Sequence, residues 1–125
     1  MIKLRQENKL LLCELELTIN EQILTLKNVL VDTGSATTLI NSDYVKVDGT
    51  EMIDTIYGVG GYETILTKRV DILKINEYII ENFQIDLGKM DFGIELDGIL
   101  GLDVLTILGA NINIKDSILS FDCHK

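Results

Sequence analysis

Val29-Leu30-Val31-Asp32-Thr33-Gly34-Ser35-Ala36-Thr37-Thr38-Leu39-Ile40 is the stretch on which the reading of this chain turns. Three apolar residues lead into an acid, a threonine and a glycine; a polar stretch then returns to apolar Leu39 and Ile40. The apolar run reads as a strand entering a core. Gly34 allows backbone conformations and close approaches that a Cβ would forbid. A bare Asp-Thr-Gly arises by chance in about one chain in forty of this length, so the flanking residues carry the weight. On the tetrapeptide alone two readings stay open. Asp32 is either a strand-end acid capping its own backbone, or a carboxylate presented on a rigid turn for chemistry.

Outward from this stretch, the chain reads as short strands punctuated by turns. From Leu11 to Ile19 the odd positions are Leu11, Cys13, Leu15, Leu17 and Ile19, with Glu14, Glu16 and Thr18 between them, the period of a half-buried strand. Asn20-Glu21 supplies a turn and Gln22 to Val31 a second strand. Ile19-Asn20-Glu21-Gln22-Ile23 is echoed by Ile75-Asn76-Glu77-Tyr78-Ile79, a weak internal repeat that suggests twofold pseudo-symmetry within the chain. Between the two units, Met52 to Val70 carries Gly58, Gly60 and Gly61 at its centre and predicts a glycine-tipped hairpin. One short helix is expected at Asp103 to Leu108, with Asp103 as N-cap and Gly109 ending it. A last hairpin is expected over Ile112 to Phe121, turning near Lys115-Asp116-Ser117. These elements predict one all-β domain spanning residues 1–125.

Composition narrows the function classes. A chain of 125 residues suits one core. Its net charge of −9, with Lys and Arg scattered and only Lys68-Arg69 adjacent, argues against a nucleic-acid partner. No apolar run approaches the roughly 20 residues of a spanning helix. Glu14 and Glu16 break the early apolar stretch, so no membrane partner is expected and a cytoplasmic location is. Cys13 and Cys123 read as reduced thiols, a bridge between terminal strands being the alternative. The single histidine, His124, sits next to the C-terminus, which leaves no metal site and no Cys-His pair to expect. No cofactor is implied.

A second motif completes the pattern. Asp97-Gly98-Ile99-Leu100-Gly101-Leu102-Asp103-Val104-Leu105 places an apolar-apolar-Gly turn directly before the expected helix. In order along the chain, Asp32-Thr33-Gly34-Ser35, the glycine hairpin, Ile99-Leu100-Gly101 and a helix resemble the retropepsin-like aspartic proteases. Ile99 to Leu105 is similar in particular to the retroviral-type domain of ubiquitin-shuttle proteins and its bacterial relatives. The resemblance implies a closed acid-protease barrel with one short helix, assembled as a C2 homodimer. It also implies an aspartic endopeptidase acting on a peptide or protein substrate, with Asp32 contributed once by each subunit.

The same resemblance assigns supporting roles. Thr33 would donate to backbone across the subunit boundary, Gly34 would allow close approach, and Ser35 would donate to the Asp32 carboxylate. Tyr57, Gly58, Val59, Gly60 and Gly61 would form a flap over bound peptide. Ile99, with Val59, would line apolar side-chain pockets, and the Ile-Leu-Gly turn would lie beneath the catalytic loop in a ψ-shaped crossing. The chain also departs from the family. Retroviral enzymes carry an acid soon after the motif and an Arg after the late glycine, which pair between subunits; here those stretches read Ala36-Thr37 and Leu102-Asp103. A catalytically quiet module of the same fold, used for dimerisation or peptide binding, is therefore the alternative, and an unrelated small β-barrel binding protein a third reading.

Overall fold

The computed structural model describes residues 1–58, 60–90 and 95–122. Ile2–Lys3 (β1) and Arg5–Glu7 (β2) precede two long strands, Leu10–Ile19 (β3) and Gln22–Val31 (β4). Leu39–Asn41 (β5) and a 3-10 turn at Ser42–Tyr44 follow. Met52–Gly58 (β6), Gly61–Ile75 (β7) and Tyr78–Gly88 (β8) form a meander. Gly98–Leu100 (β9), helix α1 (Leu102–Ile107), Ala110–Asn113 (β10) and Ile118–Phe121 (β11) complete the described chain. It is mostly strand, with one short α-helix among the described residues.

Local chemistry accounts for the long hairpins. Cys13, Leu15 and Leu17 are buried while Glu14 is exposed, as the alternation requires. Ile19 pairs with Gln22 across a two-residue turn in which Asn20 (φ 50°) and Glu21 (φ 68°) both take positive φ, the conformation that matches the twist of the flanking strands. Ile75 pairs with Tyr78 across a second two-residue turn, with Asn76 at φ 55°. β1 and β2 were not anticipated. They are two and three residues long, too short for a visible period, and β1 pairs with β11 at the far end of the chain.

The strands form two sheets. β1, β11 and β10 make the smaller one. The larger runs β2-β3-β4-β9-β5-β8-β7-β6, and β3 also pairs with β7, so the pairings from β3 through β9 and β5 to β7 run in a closed circuit. Both sheets share one core, with Leu15, Leu17, Val29, Ile40, Leu73, Ile85, Leu100 and Leu119 at or near full burial. Phe121 of β11 meets Tyr78 of β8 edge-on, ring centres 4.8 Å apart, which joins the smaller sheet to the larger one.

Within the circuit the internal repeat acquires a physical form. The β3–β4 hairpin lies parallel to β9 (Val29↔Gly98, Leu30↔Ile99, Val31↔Leu100), and the β7–β8 hairpin lies parallel to β5 (Leu39↔Asp86, Ile40↔Leu87, Asn41↔Gly88). β5 and β9 pair antiparallel in the middle, as do β3 and β7. A pseudo-twofold exchange therefore maps Leu30 onto Asp86 and Asp32, which follows Val31, onto Gly88, which follows Leu87. It also maps the 3-10 turn after β5 onto α1 after β9.

The helix begins one residue earlier than expected, and Asp103 does not cap it. Gly101 holds the N-cap position with no side-chain bond, because the Asp103 carboxylate is drawn to donors elsewhere, described below. Gly109 does end the helix, at φ 61°. No helix among the described residues is long and apolar enough to cross a membrane.

At the base of the β6–β7 hairpin the Lys68 side chain is only 3% exposed. Its Nζ donates to Glu51 Oε2 (2.7 Å), Asp48 Oδ1 (2.9 Å) and Thr50 Oγ1 (3.0 Å), clipping the loop before β6 to β7. Burial pulls the Lys68 ammonium down, but the hydrogen bonds and charges of Glu51 and Asp48 outweigh it and leave it above its ordinary value. The Thr50 hydroxyl and then Lys68 hold Asp48 below the usual carboxylate range, and Lys68 does the same for Glu51. Both acids are depressed, so their contribution to stability is present above roughly pH 4 and lost as pH falls through their folded values. Lys68 is raised, so its share is present below about pH 10 and lost above it. Lys68→Met is expected to lower the melting temperature by several degrees between about pH 5 and 9, a deficit that narrows steadily below about pH 4. Thermal unfolding across that range checks it; a deficit independent of pH would place its origin outside the ion pairs.

Candidate active site

Asp32 is the first residue beyond β4 and is half-buried, while Thr33 and Gly34 after it are exposed. The Asp32 carboxylate folds over its own turn. Gly34 N–H donates to Asp32 Oδ1 at 2.9 Å, and Ser35 N–H donates to Asp32 O at 3.2 Å. Among the described residues the Gly34 amide is the only group bonded to this carboxylate, which leaves Oδ2 open to a further partner. Ser35 departs from expectation: its Oγ donates to Thr37 O at 2.8 Å. The nearest carbonyl in its own loop captures the hydroxyl in place of the acid.

The loop is built against the segment after β9. That strand lies between β4 and β5, the strands on either side of the loop, so the chain at Leu100 to Asp103 crosses directly under it. Asp32 N–H donates to Leu100 O (3.0 Å), and Leu102 N–H donates to Ser35 O (2.7 Å). Gly101 is packed so closely that a Cβ there would overlap the Thr37 carbonyl carbon and oxygen and lie 3.0 Å from Ser35 O. Gly98 is less tight, a Cβ meeting Leu39 O and the end of the Ile40 side chain at 3.0 Å each. Gly101 is thus explained by backbone-to-backbone contact, and Gly98 by close approach of the Leu39 backbone and the Ile40 side chain.

Two carboxylates from opposite elements hold the far end of the loop. Thr38, 0% exposed, donates its N–H to Asp103 Oδ2 (3.0 Å) and its hydroxyl to Asp103 Oδ1 (2.8 Å). The same hydroxyl oxygen accepts the Gly101 N–H at 3.1 Å. Thr37 donates its hydroxyl to Asp86 Oδ2 at 2.6 Å, and Asp86 N–H donates to Thr38 O at 2.9 Å. Asp86 is itself buried on β8. Burial pushes its carboxyl above the ordinary value against the pull of the Thr37 hydroxyl, with the charges of Asp103 and Asp54 adding to the rise. Sequence reading singled out neither Asp86 nor this role for Asp103. The available signal was a pair of adjacent threonines with acids in later elements, whose meeting is set by tertiary pairing alone.

The remaining candidates fall as follows. β6 and β7 pair out to Tyr57↔Tyr62 and Gly58↔Gly61, with Gly61 at φ 122°, so the glycine hairpin is present. Gly60 and Gly61 stand in open space. Val59 lies outside the described residues, as do Cys123 and His124. Ile99 is 8% exposed at the centre of the sheet between Leu30 and Leu39, so in the single chain it offers little surface as a pocket wall. Asp97 is engaged structurally: its Oδ2 accepts the N–H groups of Lys27 and Asn28 at 3.0 Å each.

A cavity of about 460 Å³ lies elsewhere, lined by residues of Met1 to Arg5, Leu12 to Glu16, Thr25 and Lys74 to Asn76, and by none of the Asp32 loop. Cys13 at its edge is buried, and that burial pushes its thiol up to about 12, the profile of a packing residue rather than a nucleophile.

No family model matches the chain, and no curated protein matches it.

Gly101→Ala is expected to cost about 3 kcal/mol of stability, because two backbone segments and no flexible side chain must move. Denaturant unfolding measures it. A loss below about 0.5 kcal/mol would show that the loop does not rest on that contact.

Proposed function

We propose that this chain is one half of a retropepsin-like aspartic endopeptidase, a closed barrel that pairs as a C2 homodimer and hydrolyses peptide bonds with two Asp32 carboxyls. The observation that carries the reading is the Asp32 turn seated on the Leu100–Asp103 crossing between β4 and β5. It fixes a carboxylate at the end of a strand paired on both sides, with one oxygen held by a backbone amide and the other without a hydrogen bond among the described residues.

The chemistry needs two such groups. One ionised carboxylate takes a proton from water while a protonated one polarises the scissile carbonyl, and two carboxyls near contact share one proton because both cannot ionise cheaply. The chain's own pseudo-symmetry supplies only one, since Gly88 stands at the position equivalent to Asp32. The second acid comes from another copy across a twofold axis, where identical loops meet. Thr33 and Gly34, exposed beside Asp32, are free to form that contact. Water between the carboxyls then attacks the peptide carbonyl without a covalent enzyme intermediate. The glycine hairpin of β6 and β7 closes over the substrate, with Gly60 and Gly61 giving it backbone freedom.

Asp32→Asn is expected to reduce cleavage of a peptide library on the order of a thousandfold or more, with native circular dichroism and melting temperature retained. Pepstatin is expected to inhibit the unaltered chain. Full activity in the variant would remove the mechanism. A folded dimer that cleaves nothing would favour the catalytically quiet module of the same fold.

A further inference from the structure

We propose that Asp103 is a positioning residue for Asp32, acting through Thr38, so that the catalytic loop is held in working geometry by its own chain before any partner arrives. The inference rests on the protease reading above.

Both ends of the loop are tied to one short segment. At the near end Asp32 N–H bonds to Leu100 O, and in the middle Leu102 N–H bonds to Ser35 O. At the far end Asp103 takes both donors of Thr38, while the Thr38 oxygen takes the Gly101 amide. Asp103 and Gly101 are thus joined through a single buried hydroxyl, which donates to one and accepts from the other. Bonds to an ionised acceptor are the stronger kind, and Asp103 has no ion pair within 4.0 Å among the described residues. Its charge is met instead by Thr38 and by the Val104 amide at 2.7 Å. A half-buried carboxylate with that donor set fixes Thr38 in both position and direction.

The consequence concerns catalysis as well as stability. Thr38 is the last residue of the loop before β5, and Thr37, next to it, carries the carbonyl that receives the Ser35 hydroxyl. Without Asp103 the far end rests on Asp86 alone, through the Thr37 hydroxyl and the Thr38 carbonyl, and the Thr37 carbonyl, Ser35 and the Asp32 turn lose one of two anchors. Displacements of about 1 Å at reacting groups cost on the order of a hundredfold in rate. The clamp also stands where Leu102-Asp103 replaces a charge expected to bridge two subunits. Here the support is intramolecular.

The test uses Thr38→Val, which keeps the shape and removes the hydroxyl, Thr38→Ser, which keeps the hydroxyl, Asp103→Asn, and the Thr38→Val/Asp103→Asn double variant. Steady-state kinetics are measured alongside amide hydrogen exchange on the folded protein. Thr38→Val and Asp103→Asn are expected to lower kcat about 10- to 100-fold with KM within about threefold. Thr38→Ser is expected to stay within about threefold of the parent chain, and the double variant to be no worse than about the poorer single. Exchange at the Gly101 and Thr38 amides is expected to speed up in the impaired variants. A kcat loss that only follows the unfolded fraction, a full kcat in Thr38→Val, or multiplying losses in the double variant would each overturn the clamp and leave the protease reading standing. An unaltered chain that is folded, dimeric and silent would overturn both.

Discussion

The distance between two backbones, at Thr37 and Gly101, governs the architecture around Asp32. Without a Cβ at Gly101 the crossing segment lies flat against the loop, and the Asp32, Leu102 and Gly101 amides all come within hydrogen-bonding range of their partners. A side chain there would lift the segment away and open all three bonds together. Such contact is available only where β9 has been inserted between β4 and β5, which in turn requires Gly98 to tolerate the Leu39 carbonyl. The two glycines and the strand order are one constraint seen at two places.

That constraint seats one acid, Asp32, on the crossing, and the pseudo-symmetry of the fold does not supply a second. The circuit of strands is nearly symmetric, each hairpin lying beside a strand from the other half, yet the equivalent of Asp32 is Gly88. On the proposed reading, internal symmetry builds the platform and a second copy supplies the missing carboxyl. The net charge of −9 on each chain works against that association near neutrality, and the exposed, uncharged Thr33 and Gly34 at the loop soften it locally.

Much of this was legible in the residues, and the exceptions share a cause. Alternation drew β3 to within a residue of its observed ends, because one face of it is buried, and the Asn20-Glu21 turn with the apolar run Val29 to Val31 bounded β4. The Ile-Asn-Glu repeat correctly marked two equivalent hairpins. Asp103 was misread as a helix cap, since a local rule sees only neighbours in sequence, whereas two of its three donors lie on Thr38, far upstream, and the third is the adjacent Val104 amide. Ser35 was misassigned for the opposite reason: a carbonyl two residues away took its hydroxyl. Lys68 gave no warning either. Its side chain is buried only because the loop carrying Asp48 and Glu51 folds back on it. β1 and β2 are held by pairing with distant or following strands and have no pattern of their own.

The central claim, that one working site needs an Asp32 from each of two chains, is tested most directly by mixing. Active protein is titrated with the Asp32→Asn chain at constant total concentration, with time allowed for subunit exchange, and cleavage is followed. If like and unlike chains pair at random across a twofold interface, activity falls as the square of the active fraction, to about one quarter at equal mixing. A linear fall, to about one half, would mean that each chain works alone and would contradict the account.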